Sequence, residues 1–105
     1  MRFVETPVFT AEITVLLADE EYRRLQLALT LRPAQGRVIR GSGGIRKMRW
    51  GTKHRGKRGG IRVIYYWEAD EEVCYMLFAY LKTEQEDLTP AQLKILRRVV
   101  AEEFG

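Results

Sequence analysis

The sequence predicts an α+β domain, because its strand-like runs stand together between two groups of helical patterns. Residues 44–50, 61–68 and 73–82 read as strands, and the last of these is apolar on both faces, which is typical of an interior strand. Thr89-Pro90-Ala91-Gln92 fits a capping box at the start of a final helix. At 105 residues the chain is long enough for one core, so we expect a single domain over residues 1–105.

The N-terminal third predicts a strand followed by a helical hairpin. Residues 2–5 read as a short strand, which brings the expected sheet to about four strands. Thr6-Pro7 is typical of a helix start, with Thr6 as the cap. We expect Asp19 to cap the second helix and Pro33 to close it, since the residue before a proline avoids helical geometry.

Cations are concentrated in residues 36–67, which hold ten of the 18 Lys and Arg residues and no Asp or Glu. The net charge of +4 therefore conceals a strong local field, which would attract a polyanion such as a phosphate chain. Residues 51–60 are a predicted hairpin connection, rich in glycine. The segments GSGG and KRGG lack a Walker pattern, so turn formation is favoured over a phosphate cradle.

Other functional classes receive little support from the sequence. One cysteine, Cys74, and one histidine, His54, cannot supply an internal disulfide or an ordinary zinc site. We expect no metal and no cofactor. No apolar run approaches the roughly 18 residues of a membrane span, and no signal-peptide core is present. These features predict a cytoplasmic protein that binds no membrane.

Three cations are predicted to lie on one face of the sheet. Lys47 and Arg49 are two residues apart in one strand and therefore point the same way, and Arg62 belongs to the next strand. Tyr80 and Lys82 share a face where the apolar strand ends. We predict that these five residues form the catalytic site. Five further cations of the window and its histidine are predicted RNA contacts: Arg46, Lys53, His54, Arg55, Lys57 and Arg58.

Three sequence blocks, GxGGIRKxR, GKRGGxRVIYY and LxxYxKxExxDLT, occur in this order. With these blocks, the chain resembles the RelE/ParE toxin superfamily, and its HigB-like branch in particular. The resemblance implies a RelE-like α+β fold with a mainly antiparallel, twisted sheet. It also implies the toxin of a type II toxin–antitoxin pair, whose expected partner is a small helix-turn-helix antitoxin.

The same resemblance assigns roles by position. Lys47 and Arg49 match the basic pair on the second strand of RelE-like toxins, and Arg62 matches the arginine of their G-x-R motif. Lys82 matches the basic position that closes the fourth strand. Thr83 stands where RelE has an arginine, and the catalytic tyrosine near the C-terminus of RelE has no counterpart here. Tyr80 is the candidate substitute for that tyrosine.

The function implied by the RelE-type resemblance is cleavage of mRNA in the ribosomal A site. We expect metal-free attack of the RNA 2′-hydroxyl on phosphorus, with Lys47, Arg49 and Arg62 stabilising the developing charge. Neighbouring cations lower a lysine pKa, so Lys47 or Lys82 is a candidate acid or base, whereas a carboxylate base is not expected. Two alternatives remain open: a ParE-like inhibitor of DNA gyrase and a non-catalytic RNA-binding module.

Overall fold

A computed structural model describes residues 1–51 and 60–104 of the chain. The α+β prediction is confirmed, and strands in the middle of the sequence are flanked by helices at both ends. The elements are β1 (Arg2–Glu5), α1 (Pro7–Leu16), α2 (Asp19–Leu31), β2 (Arg37–Val38), β3 (Arg46–Trp50), β4 (Ile61–Glu68), β5 (Val73–Leu81) and α3 (Pro90–Phe104).

The strands form one sheet in the order β1-β5-β4-β3-β2. Of the pairs formed by the described residues, β1–β5 is parallel and the other three are antiparallel. Over residues 1–51 and 60–104 the sheet thus has five strands rather than about four. The strand that the sequence did not predict is β2, which has two residues and pairs with β3 at the edge. Two residues are too few to carry an alternating pattern.

Each face of the sheet is covered by different helices. On the α1–α2 face, Phe9 and Leu25 pack against Met48, Val63 and other strand residues in one apolar cluster. On the α3 face, Leu96 packs in a second cluster with strand residues that include Ile64. The interior position predicted for β5 is confirmed, since it lies between β1 and β4 and contributes residues to both clusters.

The helix starts follow local hydrogen bonding. The Thr6 hydroxyl accepts a bond from the Phe9 N–H at 3.0 Å, which confirms the predicted cap of α1. The cap predicted for α2 is wrong, because Ala18 holds that position and Asp19 is the first helical residue. The Glu21 carboxylate accepts from the Ala18 N–H at 3.4 Å, and the three acidic residues of the first turn lie at the positive end of the helix.

The turn between β2 and β3 uses the GSGG segment as a structural element. Gly41, Gly43 and Gly44 have φ values of 73°, 76° and 107°, which glycine adopts without strain. The buried Ser42 hydroxyl accepts from the Ile45 N–H at 2.9 Å and lies 3.2 Å from the Ile45 carbonyl oxygen. The predicted hairpin connection 51–60 joins two strands that do pair antiparallel, but residues 52–59 lie outside the described residues.

A register shift interrupts the pairing of β4 with β5. Ile64 pairs with Phe78, whereas Tyr65 pairs with Met76, so Leu77 is an extra residue on β5. The side chains of Leu77 and Phe78 consequently both pack in the α3-face cluster. The Leu77 carbonyl accepts a hydrogen bond from the Thr6 hydroxyl at 2.8 Å, which ties the bulge to the start of α1.

Candidate functional site

A cleft of about 670 Å³ opens on the α3 face, at the end of the sheet that carries β2 and β3. We call it the cationic cleft. Its described lining contains five cationic side chains and two carboxylates. The lining residues are Gln35, Arg37, Lys47, Met48, Arg49, Arg62, Lys82, Glu86 and Asp87.

Strand pairing places the cations beside one another. Arg49 on β3 is directly opposite Arg62 on β4, and Arg62 is directly opposite Tyr80 on β5. Lys47 is opposite Arg37 of the edge strand β2. Because directly opposed residues share a face of a sheet, Lys47, Arg49 and Arg62 line the same cleft, as their spacing predicts. Their roles in catalysis remain predictions.

Arg62 differs from its neighbours in its burial. Only 4% of its surface is exposed, whereas Arg49 is an exposed residue. One guanidinium nitrogen lies 3.4 Å from the Ile61 carbonyl oxygen. Arg62 therefore brings a positive charge to a part of the cleft that is shielded from water.

Lys47 contacts a carboxylate of the protein itself. Its ammonium group donates a hydrogen bond to Oδ1 of Asp87, in the loop between β5 and α3. Residues 36–67 contain no carboxylate, which suggested that none would lie among these cations in the folded protein. That expectation is wrong, because two carboxylates line the same cleft. The loop after β5 folds back and brings residue 87 to a strand that lies 40 positions earlier.

Tyr80 lies beside this group with its hydroxyl buried. Among the described residues that hydroxyl has no hydrogen-bond partner. Burial raises the pKa of Tyr80 to about 12; the negative charge of Asp87 adds to the rise and the positive charge of Arg62 opposes it. The phenol is therefore neutral at physiological pH and able to donate one proton in a hydrogen bond.

The other predicted site residues separate into three groups. Lys82 lines the cationic cleft, as expected from its position after β5. Arg46 does not: its guanidinium donates to the carbonyls of Ala34 and Gly36, at 3.1 and 2.8 Å. The structure thus assigns Arg46 to the support of the α2–β2 connection and does not favour the predicted RNA contact. The remaining predicted contacts lie outside the described residues: Lys53, His54, Arg55, Lys57 and Arg58.

Sequence reasoning missed four polar lining residues, as well as the apolar Met48. Arg37 belongs to the basic window but to a strand too short to predict, and Gln35 lies in the connection before it. Glu86 and Asp87 follow the apolar strand in the block LxxYxKxExxDLT, which was interpreted only for Tyr80 and Lys82. The sequence could have indicated these two carboxylates as site residues, because the loop that follows Lys82 must begin at the end of the strand where Lys82 lies.

A metal-binding role is not supported by the residues that the structure describes, since they contain no group of three or more His, Cys, Asp or Glu side chains suited to a metal ion. Cys74 is fully buried in the α1–α2-face cluster, and burial raises the pKa of its thiol to about 12. It is therefore a small apolar core residue, as predicted. Across residues 1–51 and 60–104, no helix combines the length and apolar character needed to cross a bilayer.

The cationic cleft is suited to a phosphodiester. Guanidinium groups can hold phosphate oxygens through two hydrogen bonds, and ammonium groups add mobile point charges. A comparison with protein families gives a separate finding: residues 26–104 match the family described as the RelE toxin of the RelE/RelB toxin–antitoxin system. That match includes every element from the second half of α2 to the end of α3. RelE-family toxins act in pairs with a cognate antitoxin, and this chain belongs to the RelE toxin family.

Proposed function

We propose that this toxin is an endoribonuclease that cleaves mRNA in the ribosomal A site and so inhibits translation. The observation that carries the proposal is the cationic cleft, where two neighbouring strands present Lys47, Arg49 and Arg62 and the end of β5 adds Lys82. Such a group of positive charges on one sheet face favours a bound polyanion, and the family match makes RNA the preferred candidate.

The proposed reaction begins with attack of the RNA 2′-hydroxyl oxygen on the adjacent phosphorus. The bond from phosphorus to the 5′-oxygen breaks, leaving a 2′,3′-cyclic phosphate and a 5′-hydroxyl. Negative charge grows on the phosphoryl oxygens as the reaction proceeds. Arg49 and Arg62, which are directly opposite each other, would stabilise that charge, and one well-oriented donor contributes roughly 3 kcal/mol.

The contact between Lys47 and Asp87 is compatible with phosphate binding. Their side chains are 31% and 70% exposed, and an exposed ion pair of this kind contributes about 0–1 kcal/mol. An incoming phosphate can therefore contact the same ammonium group at little energetic cost. Five cationic lining residues against two carboxylates also leave the described lining with an excess of positive charge.

We further propose the HigB-like branch, a helix-turn-helix antitoxin and a cytoplasmic site of action, as the sequence blocks suggest. The family match supports an antitoxin partner in general. Alignment of the mRNA by the ribosome would determine where the RNA is cut.

The test is a reconstituted translation reaction with purified toxin and one defined mRNA. We expect cuts within codons at the A site, with 2′,3′-cyclic phosphate ends and only when ribosomes are present. Lys47→Ala should lose both cleavage and growth arrest while its thermal unfolding remains cooperative. Arg97→Ala is the matched control, since Arg97 is an exposed cation on α3 and does not line the cleft.

Each alternative function predicts a different outcome in the same preparation. A gyrase inhibitor would leave the mRNA intact and block DNA supercoiling. A non-catalytic RNA-binding module would bind RNA and stop neither translation nor supercoiling. Persistent growth arrest by a folded Lys47→Ala, Arg62→Ala double variant would also contradict the proposal.

A further inference from the structure

The connection between β5 and α3, residues 82–89, brings a carboxylate into the cationic cleft. Asp87 contacts the Lys47 ammonium through Oδ1, and both side chains line the cleft. Fold stability gives little reason for this arrangement, since the two side chains are 31% and 70% exposed and such pairs contribute about 0–1 kcal/mol. The position of Asp87 therefore calls for a chemical explanation.

The backbone around Asp87 is fixed by hydrogen bonds to the start of α3. The Gln85 side-chain amide donates to the Asp87 carbonyl at 2.9 Å and to Oε1 of Gln92 at 3.0 Å. Gln92 and Thr89 form the predicted capping box, with reciprocal bonds of 2.9 and 3.1 Å. The backbone of Asp87 is thus attached to a helix end, which holds this residue beside the cationic cleft.

Cleavage through the 2′-hydroxyl requires a proton acceptor, and the described lining offers few. Protonated lysine and arginine have no acceptor lone pair, and the Gln35 amide oxygen is scarcely basic. The Tyr80 phenol is held neutral by burial, which makes it a poor base. Glu86 and Asp87 remain, and Asp87 is the one that contacts a cation predicted to bind phosphate.

A phosphate bound by Lys47 would lie next to Asp87, because both would contact the same ammonium group. An ammonium group that donates hydrogen bonds to both a phosphate oxygen and a carboxylate holds these two anions close to each other. The contact uses Oδ1, and the second carboxylate oxygen can accept the proton of a neighbouring 2′-hydroxyl.

Resting on the proposed ribonuclease function, we propose that Asp87 is the general base of the cleavage. Its carboxylate takes the proton of the 2′-hydroxyl while the 2′-oxygen forms its bond to phosphorus. The bond between phosphorus and the 5′-oxygen breaks, and that oxygen takes a proton from a lysine ammonium of the cleft. Asp87 then returns its proton to water and the lysine regains one, so no metal or redox partner takes part.

The test uses single-turnover cleavage of mRNA on ribosomes with the full-length toxin in excess. Asp87→Asn keeps the size of the side chain and removes its basicity, so we expect cleavage to slow by about 10²- to 10⁴-fold. Binding to the programmed ribosome should stay within about threefold of the wild type. Glu84→Gln is the matched control, because it removes one exposed carboxylate from the same loop outside the cleft lining, and we expect its rate to stay within about threefold.

A chemical rescue separates a base from a merely structural side chain. Asp87→Ala should regain at least about tenfold in rate when formate is added, because a small carboxylate can occupy the vacated position. Lys47→Ala should gain nothing from formate. A slow Asp87→Ala variant that formate does not rescue would overturn the assignment of Asp87 as a base.

The remaining outcomes distinguish this inference from the proposed function. Cleavage by Asp87→Asn at or above the wild-type rate would show that Asp87 merely occupies a phosphate position, and the inference would fail while the ribonuclease function stands. Absence of any cut by the wild-type toxin would overturn both. If Asp87→Asn does not unfold cooperatively, the formate response of Asp87→Ala decides the question.

Discussion

The two faces of the sheet use the same residue types in opposite ways. On the α1–α2 face, the Tyr65 hydroxyl donates to the Pro33 carbonyl at 2.7 Å and accepts from the Gly36 N–H at 2.9 Å. On the α3 face, the buried Tyr80 hydroxyl has no partner among the described residues. A buried polar group without a partner costs stability, so it is expected where a ligand supplies the missing bond.

The arginines show the same difference. Arg46 donates to two backbone carbonyls of the α2–β2 connection, whereas Arg49, three positions later, is exposed on the wall of the cationic cleft. The α1–α2 face therefore satisfies its polar groups internally, and the uncovered part of the α3 face leaves charges directed at solvent. The role of a cation therefore depends on the face of the sheet where it lies, and the residue type alone does not determine that role.

The largest expected effect comes from replacing an arginine on each face. Arg49→Ala should slow single-turnover cleavage by about 10²- to 10³-fold, because one donor to the phosphoryl oxygens is lost. Arg46→Ala should leave the rate within about threefold. Its free energy of unfolding should fall by about 1 kcal/mol, since two carbonyls lose a donor. Urea unfolding measures the second quantity, and equal cleavage rates for the two variants would contradict the distinction between the faces.

A second experiment asks whether the cleft supplies a proton as well as charge. Lys82→Ala should slow cleavage of ordinary RNA by about 10²-fold if Lys82 protonates the leaving 5′-oxygen. An RNA with sulfur in place of that oxygen needs no proton to leave, so the variant should cut it almost as fast as the wild type does. Equal slowing on both RNAs would show that Lys82 binds the substrate and does not act as the acid.

The two tyrosines provide a comparison of stability. Tyr65→Phe should lower the free energy of unfolding by about 1–3 kcal/mol, because the buried Gly36 N–H loses its partner. Tyr80→Phe should raise that free energy by up to about 1–3 kcal/mol, since it removes a buried hydroxyl that has no hydrogen-bond partner within the described residues. Denaturant unfolding of both variants checks this, and a loss from Tyr80→Phe equal to that from Tyr65→Phe would refute the comparison.

The smallest expected effect is on stability at alkaline pH. Burial raises the pKa of Tyr80 in the folded protein to about 12, from an ordinary value of 10.0. Because the pKa is higher in the folded than in the unfolded chain, the contribution of the neutral Tyr80 to the free energy of unfolding is complete below about pH 10. That contribution is lost as the pH rises towards 12. The melting temperature of Tyr80→Phe should therefore fall less than that of the wild type between pH 9 and 11. Identical pH dependences would show that Tyr80 ionises equally readily in the folded and unfolded chains.

Much of the fold could be predicted because its signals are local. The Thr6 cap, the Thr89–Gln92 capping box and the apolar strand at residues 73–82 each depend on a few neighbouring residues. The common face of Lys47 and Arg49 follows from strand alternation alone. Ala18 could not be predicted as a cap, because it has no side-chain acceptor and is placed there by the α1–α2 connection.

The rest of the site depends on contacts between distant parts of the chain. Asp87 reaches Lys47 only because the loop after β5 turns back over the sheet, and no spacing along the sequence encodes that turn. Strand β2 exists because β3 offers an edge to pair with. Arg46 belongs to the basic window by composition, yet its partners are carbonyls 10 and 12 positions earlier.

The extra residue at Leu77 has a consequence for how the toxin can tolerate insertions and deletions. Side chains alternate along a strand, so Tyr75 and Tyr80 would point to opposite faces if β5 were regular. Both belong to the α3-face cluster because one residue is added between them. Deletion of Leu77 would leave Tyr75 and Tyr80 four positions apart and on the same face of a regular strand, so β5 can lose this one residue without turning Tyr80 away from the cleft. A deletion between Phe78 and Tyr80 has no such compensation and would rotate Tyr80 towards the helical hairpin.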